Sequence, residues 1–241
     1  MEVTMKEQLY TIPVNDAFAA DCECPICMMR KSLEEDAITF TMGPSYMEDD
    51  IRMVTDKTGF CEKHIQKLYE NQNRLGLALM LNTHMKKTIA DIEKLSAEKV
   101  TPAPLFKKKN DTPNGVVSYI NQLNRSCFVC NRIEKVYERY LATVFHCYTH
   151  DTDFRQKLKG SKGLCTPHFG KLYELAPAAL RGNTLQEFLS DITELYLTNM
   201  RRVQEDLEWF TDKFDYRNED APWKNSKDAL PRSITKTNSV L

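Results

Sequence analysis

Four short cysteine and histidine pairs carry the chemistry of this sequence. They are Cys24-Pro25-Ile26-Cys27 and Cys61-Glu62-Lys63-His64, then Cys127-Phe128-Val129-Cys130 and Cys165-Thr166-Pro167-His168. In each half of the chain a Cys-x-x-Cys precedes a Cys-x-x-His, by 33 residues in the first and 34 in the second. Thiolate and imidazole together are the donor set of tetrahedral zinc, and three sulfurs with one ring nitrogen complete the shell. The expected metal residues are therefore Cys24, Cys27, Cys61, His64, Cys127, Cys130, Cys165 and His168, forming two Cys3His sites. A Cys-x-x-Cys knuckle, a hairpin turn, brings two sulfurs to one side. In Cys-x-x-His the i, i+3 spacing puts both side chains on one face at a helix start. Pro167 suits that first turn, where its missing N–H has no partner to lose, and the helix N-terminus favours a bound thiolate.

The same residues admit other readings. Three cysteines and a histidine can hold an iron–sulfur cluster as well as zinc, and spacing does not separate the two. Nor does spacing say whether each quartet closes within its own half or exchanges pairs with the other. A closed four-ligand zinc site has no open position for water, so it stabilises a fold and performs no hydrolysis by itself. No Gly-rich phosphate loop, Gly-x-Ser-x-Gly or His-Glu-x-x-His occurs in the sequence, and the expectation leans away from an enzyme. Two cysteines lie outside the quartets. Cys22 extends the first pair to Cys-x-Cys-x-x-Cys, and Cys147 sits between His146 and His150; these are the candidates for a thiol-based redox role. His84 reads as a hydrogen-bonded core histidine.

The elements that must position these groups repeat as well. Gly59 to Glu70, GFCEKHIQKLYE, aligns with Gly163 to Glu174, GLCTPHFGKLYE, at seven of twelve positions, and Asp50-Ile51-Arg52 matches Asp153-Phe154-Arg155. The offset between copies is 103 residues at the Cys-x-x-Cys and 104 at the Cys-x-x-His. Each copy ends in an apolar series advancing by threes and fours: Leu77, Leu81, Met85, Thr88, Ile92 and Leu95, then Leu185, Leu189, Ile192, Tyr196, Met200, Val203, Leu207, Phe210 and Phe214. The second series predicts one helix of about 30 residues. Strand signals are weak, the best being the short run Ala37 to Met42. The expected fold is all-α: two pseudo-repeats of a metal knuckle plus helices, packed through their long amphipathic helices.

The expected boundaries are a first repeat over 1–99, a linker over 100–115, a second repeat over 116–218 and a tail over 219–241. The linker carries three prolines, Lys107-Lys108-Lys109 and an Asn-Gly; its lysine run reads as solvated. In the tail, Pro222 and Pro231 bracket a short helix, and Trp223 is expected to pack back on the helices.

Composition bounds the rest. The chain has 241 residues, 33 basic against 34 acidic side chains, and 41% hydrophobic residues. That length is about 1.6 typical domains, enough to bury a core. A net charge of −1 removes the simplest argument for a nucleic-acid or membrane partner, which would favour a basic surplus; nucleic-acid binding through a local basic face stays as a third reading. Met1 to Val14 lacks the basic and apolar segments of a secretory signal. The longest apolar run, LGLALML at Leu75 to Leu81, is far below the ~18 residues of a membrane span. The expected compartment is the cytoplasm, where clustered thiols serve as metal ligands more often than as disulfides.

The motifs CPIC with GFCEKH and CFVC with GLCTPHF resemble those of an uncharacterised bacterial family of unknown function, whose members have two helical Cys-x-x-Cys and Cys-x-x-His halves. The resemblance covers most of the chain, with no departure at the eight motif positions. It implies a cytosolic metal-binding protein and names no substrate. The resulting expectation is a zinc-stabilised adaptor or regulator that acts through contact with another protein.

Overall fold

The structure, a computed structural model, describes residues 2–97 and 114–240, with side chains from residue 10 onward. The described residues form eleven α-helices and two short 3-10 turns, with no strand. The helices are α1 (Glu2–Ala19), α2 (Pro25–Met42), α3 (Asp49–Thr58), α4 (Glu62–Glu70), α5 (Arg74–Ser96), α6 (Gly115–Asn124), α7 (Phe128–His150), α8 (Thr152–Gly160), α9 (Thr166–Ala179), α10 (Gly182–Asp212) and α11 (Ala229–Asn238). One order of elements follows each Cys-x-x-Cys: a helix opening at the pair, a short helix of ten or nine residues, a helix opening at Cys-x-x-His, and a long helix of 23 or 31 residues. Ala37 to Met42, the best strand-like run, is instead the last part of α2. Its buried residues Ala37, Ile38, Thr41 and Met42 recur at helical spacing, and Thr41 Oγ1 donates to the Ala37 carbonyl at 2.6 Å.

The chain divides into two compact units, one of Met1–Leu33 with Val136–Leu241, the other Glu34–Lys135. Both boundaries fall inside helices, α2 and α7. The units therefore run across the two sequence repeats: each takes the Cys-x-x-Cys of one copy and the Cys-x-x-His of the other. Of the expected linker, residues 100–113 with their lysine run lie outside the described residues. Asn114 and Gly115 belong to α6, where Asn114 is the N-cap and its Oδ1 accepts from Val117 N at 2.9 Å.

In the larger unit α1 packs on α8, and α10 on α8, α9 and α11. Phe18 meets Phe154 edge-on at 5.0 Å, and Phe188 of α10 lies between Phe145 and Tyr148 of α7 at 5.2 and 4.9 Å. The buried stripe of α10 is Phe188, Ile192, Leu195, Asn199 and Val203. This is rotated slightly from the expected series, which held Ile192 and Val203 but passed over Phe188 and Leu195; Phe214 is exposed. The tail folds back on α10. Trp209 Nε1 donates to the Pro222 carbonyl at 3.0 Å, Trp223 contacts Phe210, and Arg232 of α11 pairs with Asp206 at 2.9 Å.

In the smaller unit α5 packs on α3, α4, α6 and the 3-10 turn Pro44–Met47. Asn73 begins α5, its Oδ1 accepting from Gly76 N while its Nδ2 donates to the Met42 carbonyl at the end of α2. Leu77 and Met80 are buried, but Met85 of the expected stripe is exposed, as are Leu75 and Ile89. Each long helix finds partners within its own unit, α10 on α8, α9 and α11 and α5 on α3, α4 and α6.

Candidate metal centre

Every one of the four pairs opens a helix. Cys61 and Cys165 are the N-caps of α4 and α9, with nearly the same extended backbone, φ −74° and ψ 163° against φ −78° and ψ 161°. Their carbonyls accept the first intrahelical bonds, from Ile65 N and Phe169 N. Cys24 and Cys127 do the same for α2 and α7, accepting from Met28 N and Asn131 N. The Cys-x-x-Cys pairs are therefore helix starts and not hairpin knuckles: the expected turn geometry is corrected to one shared with the Cys-x-x-His pairs. The partial positive charge of each helix N-terminus faces a group that gains negative charge when it binds a cation.

The pairs assemble crosswise. Cys24, Cys27, Cys165 and His168 converge in the larger unit, and Cys61, His64, Cys127 and Cys130 in the smaller one; within each group the four donor atoms lie within 4.8 Å of one another. In the first group Cys27 Sγ is 3.6 Å from Cys165 Sγ, and His168 Nδ1 is 3.6, 3.2 and 3.0 Å from the sulfurs of Cys24, Cys27 and Cys165. In the second, Cys61 Sγ is 3.8 Å from Cys130 Sγ, and His64 Nδ1 is 3.2, 3.4 and 3.2 Å from Cys61, Cys127 and Cys130. Four ligands on one tetrahedral ion with Zn–S bonds of 2.3 Å place their sulfurs about 3.8 Å apart. The donor set and its spacing fit such an ion in both groups.

Long-range contacts bring the pairs together. In the smaller unit Phe128 N donates to the Gly59 carbonyl at 3.0 Å and Ser126 Oγ to the Thr58 carbonyl at 2.7 Å, fastening the start of α7 beside Cys61. Gly59 and Gly163, each two residues before the cysteine of a Cys-x-x-His, have φ of +56° and +82°, a region where glycine carries no Cβ penalty. His84 lies against Gly59, its Nδ1 hydrogen-bonded to the Asp56 carbonyl at 2.8 Å. That bond accords with a structural histidine, although the ring is half-buried.

Beyond the eight residues, each group has a carboxylate with two cations. His64 Nε2 is 3.0 Å from Glu34 Oε1, and Glu34 also pairs with Lys63 and Lys67. Burial raises the Glu34 carboxyl, but bonds from Lys63, Lys67 and His64 outweigh it and bring it down to about 2. Burial lowers His64 in spite of Glu34, which favours the neutral imidazole, with Nε2–H donated to Glu34 and the Nδ1 lone pair free to bind. In the larger unit Glu23, next to Cys24, pairs with Arg202 and Lys236. Sequence spacing missed Glu34 and Lys236, because nothing local marks a residue that reaches a site from another element, and it missed Glu23, which adjoins Cys24 but is marked only by its distant partners Arg202 and Lys236. Burial first, then neighbouring thiols, push Cys24 and Cys130 up to about 12. Sulfurs packed this closely cannot all ionise without a cation.

The two remaining thiols belong to neither group. Cys22 is half-buried, and Cys147 is buried on α7 while its neighbours His146 and His150 are exposed. Burial raises the pKa of both thiols.

An all-helical chain with two Cys3His groups, in which no described helix is long and apolar enough to cross a membrane, fits a metal-binding helical protein. The chain belongs to the family of unknown function DUF6062, whose profile matches residues 5–241. No curated protein and no solved structure matches it.

Proposed function

We propose that this protein binds two zinc ions at closed structural sites, Cys24, Cys27, Cys165, His168 and Cys61, His64, Cys127, Cys130, and acts in the cytoplasm as an adaptor or regulator through contact with another protein. The observation that carries the reading is the convergence of three sulfurs and one Nδ1 at single-ion distances, twice. A multi-iron cluster would hold at least some of its cysteine sulfurs farther apart, since its four ligands are divided among two or more irons. Thiolate-rich tetrahedral sites suit zinc. Zinc with three thiolates carries a net −1, and a carboxylate with two cations beside it carries +1, so each site closes near neutrality with Glu34, Lys63 and Lys67 or with Glu23, Arg202 and Lys236.

Contact with a protein is supported by Leu75, Met85 and Ile89, which are 67%, 60% and 55% exposed and share one face of α5. Elemental analysis of anaerobically purified protein tests the metal: two zincs per chain are expected, and iron, or fewer than two equivalents of zinc, overturns the reading. Co-purification of native complexes tests the contact. A partner retained equally by wild type and by Met85→Glu/Ile89→Glu, with zinc content unchanged, removes that face from the proposal.

A further inference from the structure

The two groups differ in what a solvent-borne reagent can reach. All four donors of the larger unit's group are buried, and the end of the chain closes over it: Ser239 Oγ is 3.0 Å from Cys165 Sγ, and Thr166 Oγ1 donates to the Lys236 carbonyl. In the smaller unit His64 and Cys127 are buried, Cys61 is half-buried and Cys130 is exposed. An exposed zinc-bound thiolate keeps its nucleophilic electron pair at neutral pH, and Cys130 is the one cysteine of the eight that is exposed, Cys22 being half-buried and Cys147 buried. Resting on the zinc reading, we propose that Cys130 is a modification site for hydroperoxides, and that Cys61, 3.8 Å away, resolves the product into a disulfide that expels zinc from this site alone.

The chemistry balances within these groups. Cys130 Sγ attacks a peroxide oxygen; the S–O bond forms, the O–O bond breaks, and the departing hydroxide or alkoxide takes a proton to leave as water or alcohol. Sulfur is oxidised by two electrons to the sulfenic acid and the peroxide is reduced. Cys61 Sγ then attacks the Cys130 sulfur; the S–S bond forms, the S–O bond breaks, and the oxygen leaves as water with one further proton. Two thiolates, one hydroperoxide and two protons become one disulfide, one water and one water or alcohol. The site then keeps only His64 and Cys127 as donors, too few to hold a zinc ion.

The test uses the full chain loaded with zinc, whose metal content is measured first. Hydrogen peroxide is added with a chromophoric zinc chelator present, and cysteine oxidation is mapped by mass spectrometry. One zinc is expected to leave on the order of ten-fold faster than the other or more, together with a Cys61–Cys130 disulfide, and a Cys22→Ser/Cys147→Ser variant should behave as wild type. Because Cys130→Ser can empty the site outright, alkylation of the unoxidised wild-type protein supplies the second measurement: Cys130 should be labelled before any other cysteine. A starting content below two zincs overturns the zinc reading and this inference with it. Two zincs leaving at equal rates, or first modification at another cysteine, overturns the inference alone.

Discussion

Lys236 Nζ donates a 2.7 Å hydrogen bond to the Glu23 carbonyl and lies 3.2 Å from Glu23 Oε2, across 213 residues of sequence. The lysine is 1% exposed. Burial lowers its pKa while Glu23 pulls it back up, and Arg202 supplies Glu23 with a second cation at 2.6 Å. The contact ties α11 to the residue preceding Cys24, and it puts a positive charge beside a site that becomes negative when its thiolates bind zinc.

Lys236→Met keeps the apolar stem and removes the charge. It should destabilise the zinc-loaded protein by about 3 kcal/mol, on the order of 10 °C in Tm, because breaking one side of a buried pair strands the other. A thermal melt within 2 °C of wild type, as a rough bound, would show that Arg202 alone satisfies Glu23.

Glu34→Gln removes the carboxylate that holds His64 with Nδ1 toward the sulfurs. Such supporting groups typically contribute 10- to 100-fold in metal affinity. Competition with a chelator should show one zinc weakened by about that factor and the other unchanged, since Glu34 touches only the group of the smaller unit. Equal weakening of both zincs would contradict this assignment.

Metal removal should unfold the chain. A structural zinc contributes about 10–16 kcal/mol of binding energy, comparable with or larger than the ~5–15 kcal/mol net stability of a typical domain. The first site also joins residues as far apart as 144 positions, so its loss returns much loop entropy to the unfolded chain. A chelator-stripped sample is expected to lose its cooperative calorimetric transition. A stripped protein that melts like the loaded one would refute a structural role for the metal.

Gly163→Ala meets both a positive φ and a close neighbour, with the added Cβ 3.2 Å from the Leu195 carbonyl oxygen. A loss of about 1–2 kcal/mol is expected from the backbone alone. At Gly59 the neighbour is the His84 ring, 2.8 Å from the added Cβ. Adding His84→Ala to Gly59→Ala should therefore relieve the steric part and leave the backbone part, a non-additivity that a double-mutant cycle measures.

Much of the helical fold was legible because its signals are local. The apolar series from Leu185 foretold a helix of about 30 residues, and α10 has 31. The buried face was less legible. Asn199 is buried on it, lining the side of α10 that faces Gly163, and no hydropathy pattern selects an asparagine for that position. The α5 series marked a helix correctly but not its cover: Met85 stays exposed, because burial depends on what the rest of the chain supplies, and periodicity reports only what one helix offers.

The sequence by itself determined the half-sites. A cysteine at a helix N-cap with a cysteine or histidine three residues on forms a pair through one turn of backbone, so four pairs and their donor types could be read without knowing the fold. Which pairs join is a different kind of fact. Either pairing of a Cys-x-x-Cys with a Cys-x-x-His yields the same Cys3His donor set, so donor chemistry cannot choose between them. Tertiary structure decided, by carrying Gly59 to Phe128 and Cys27 to Cys165 across 138 residues. Both groups are consequently built from one pair of each repeat, and only the folded chain leaves Cys130 open to solvent while closing its end over Cys165.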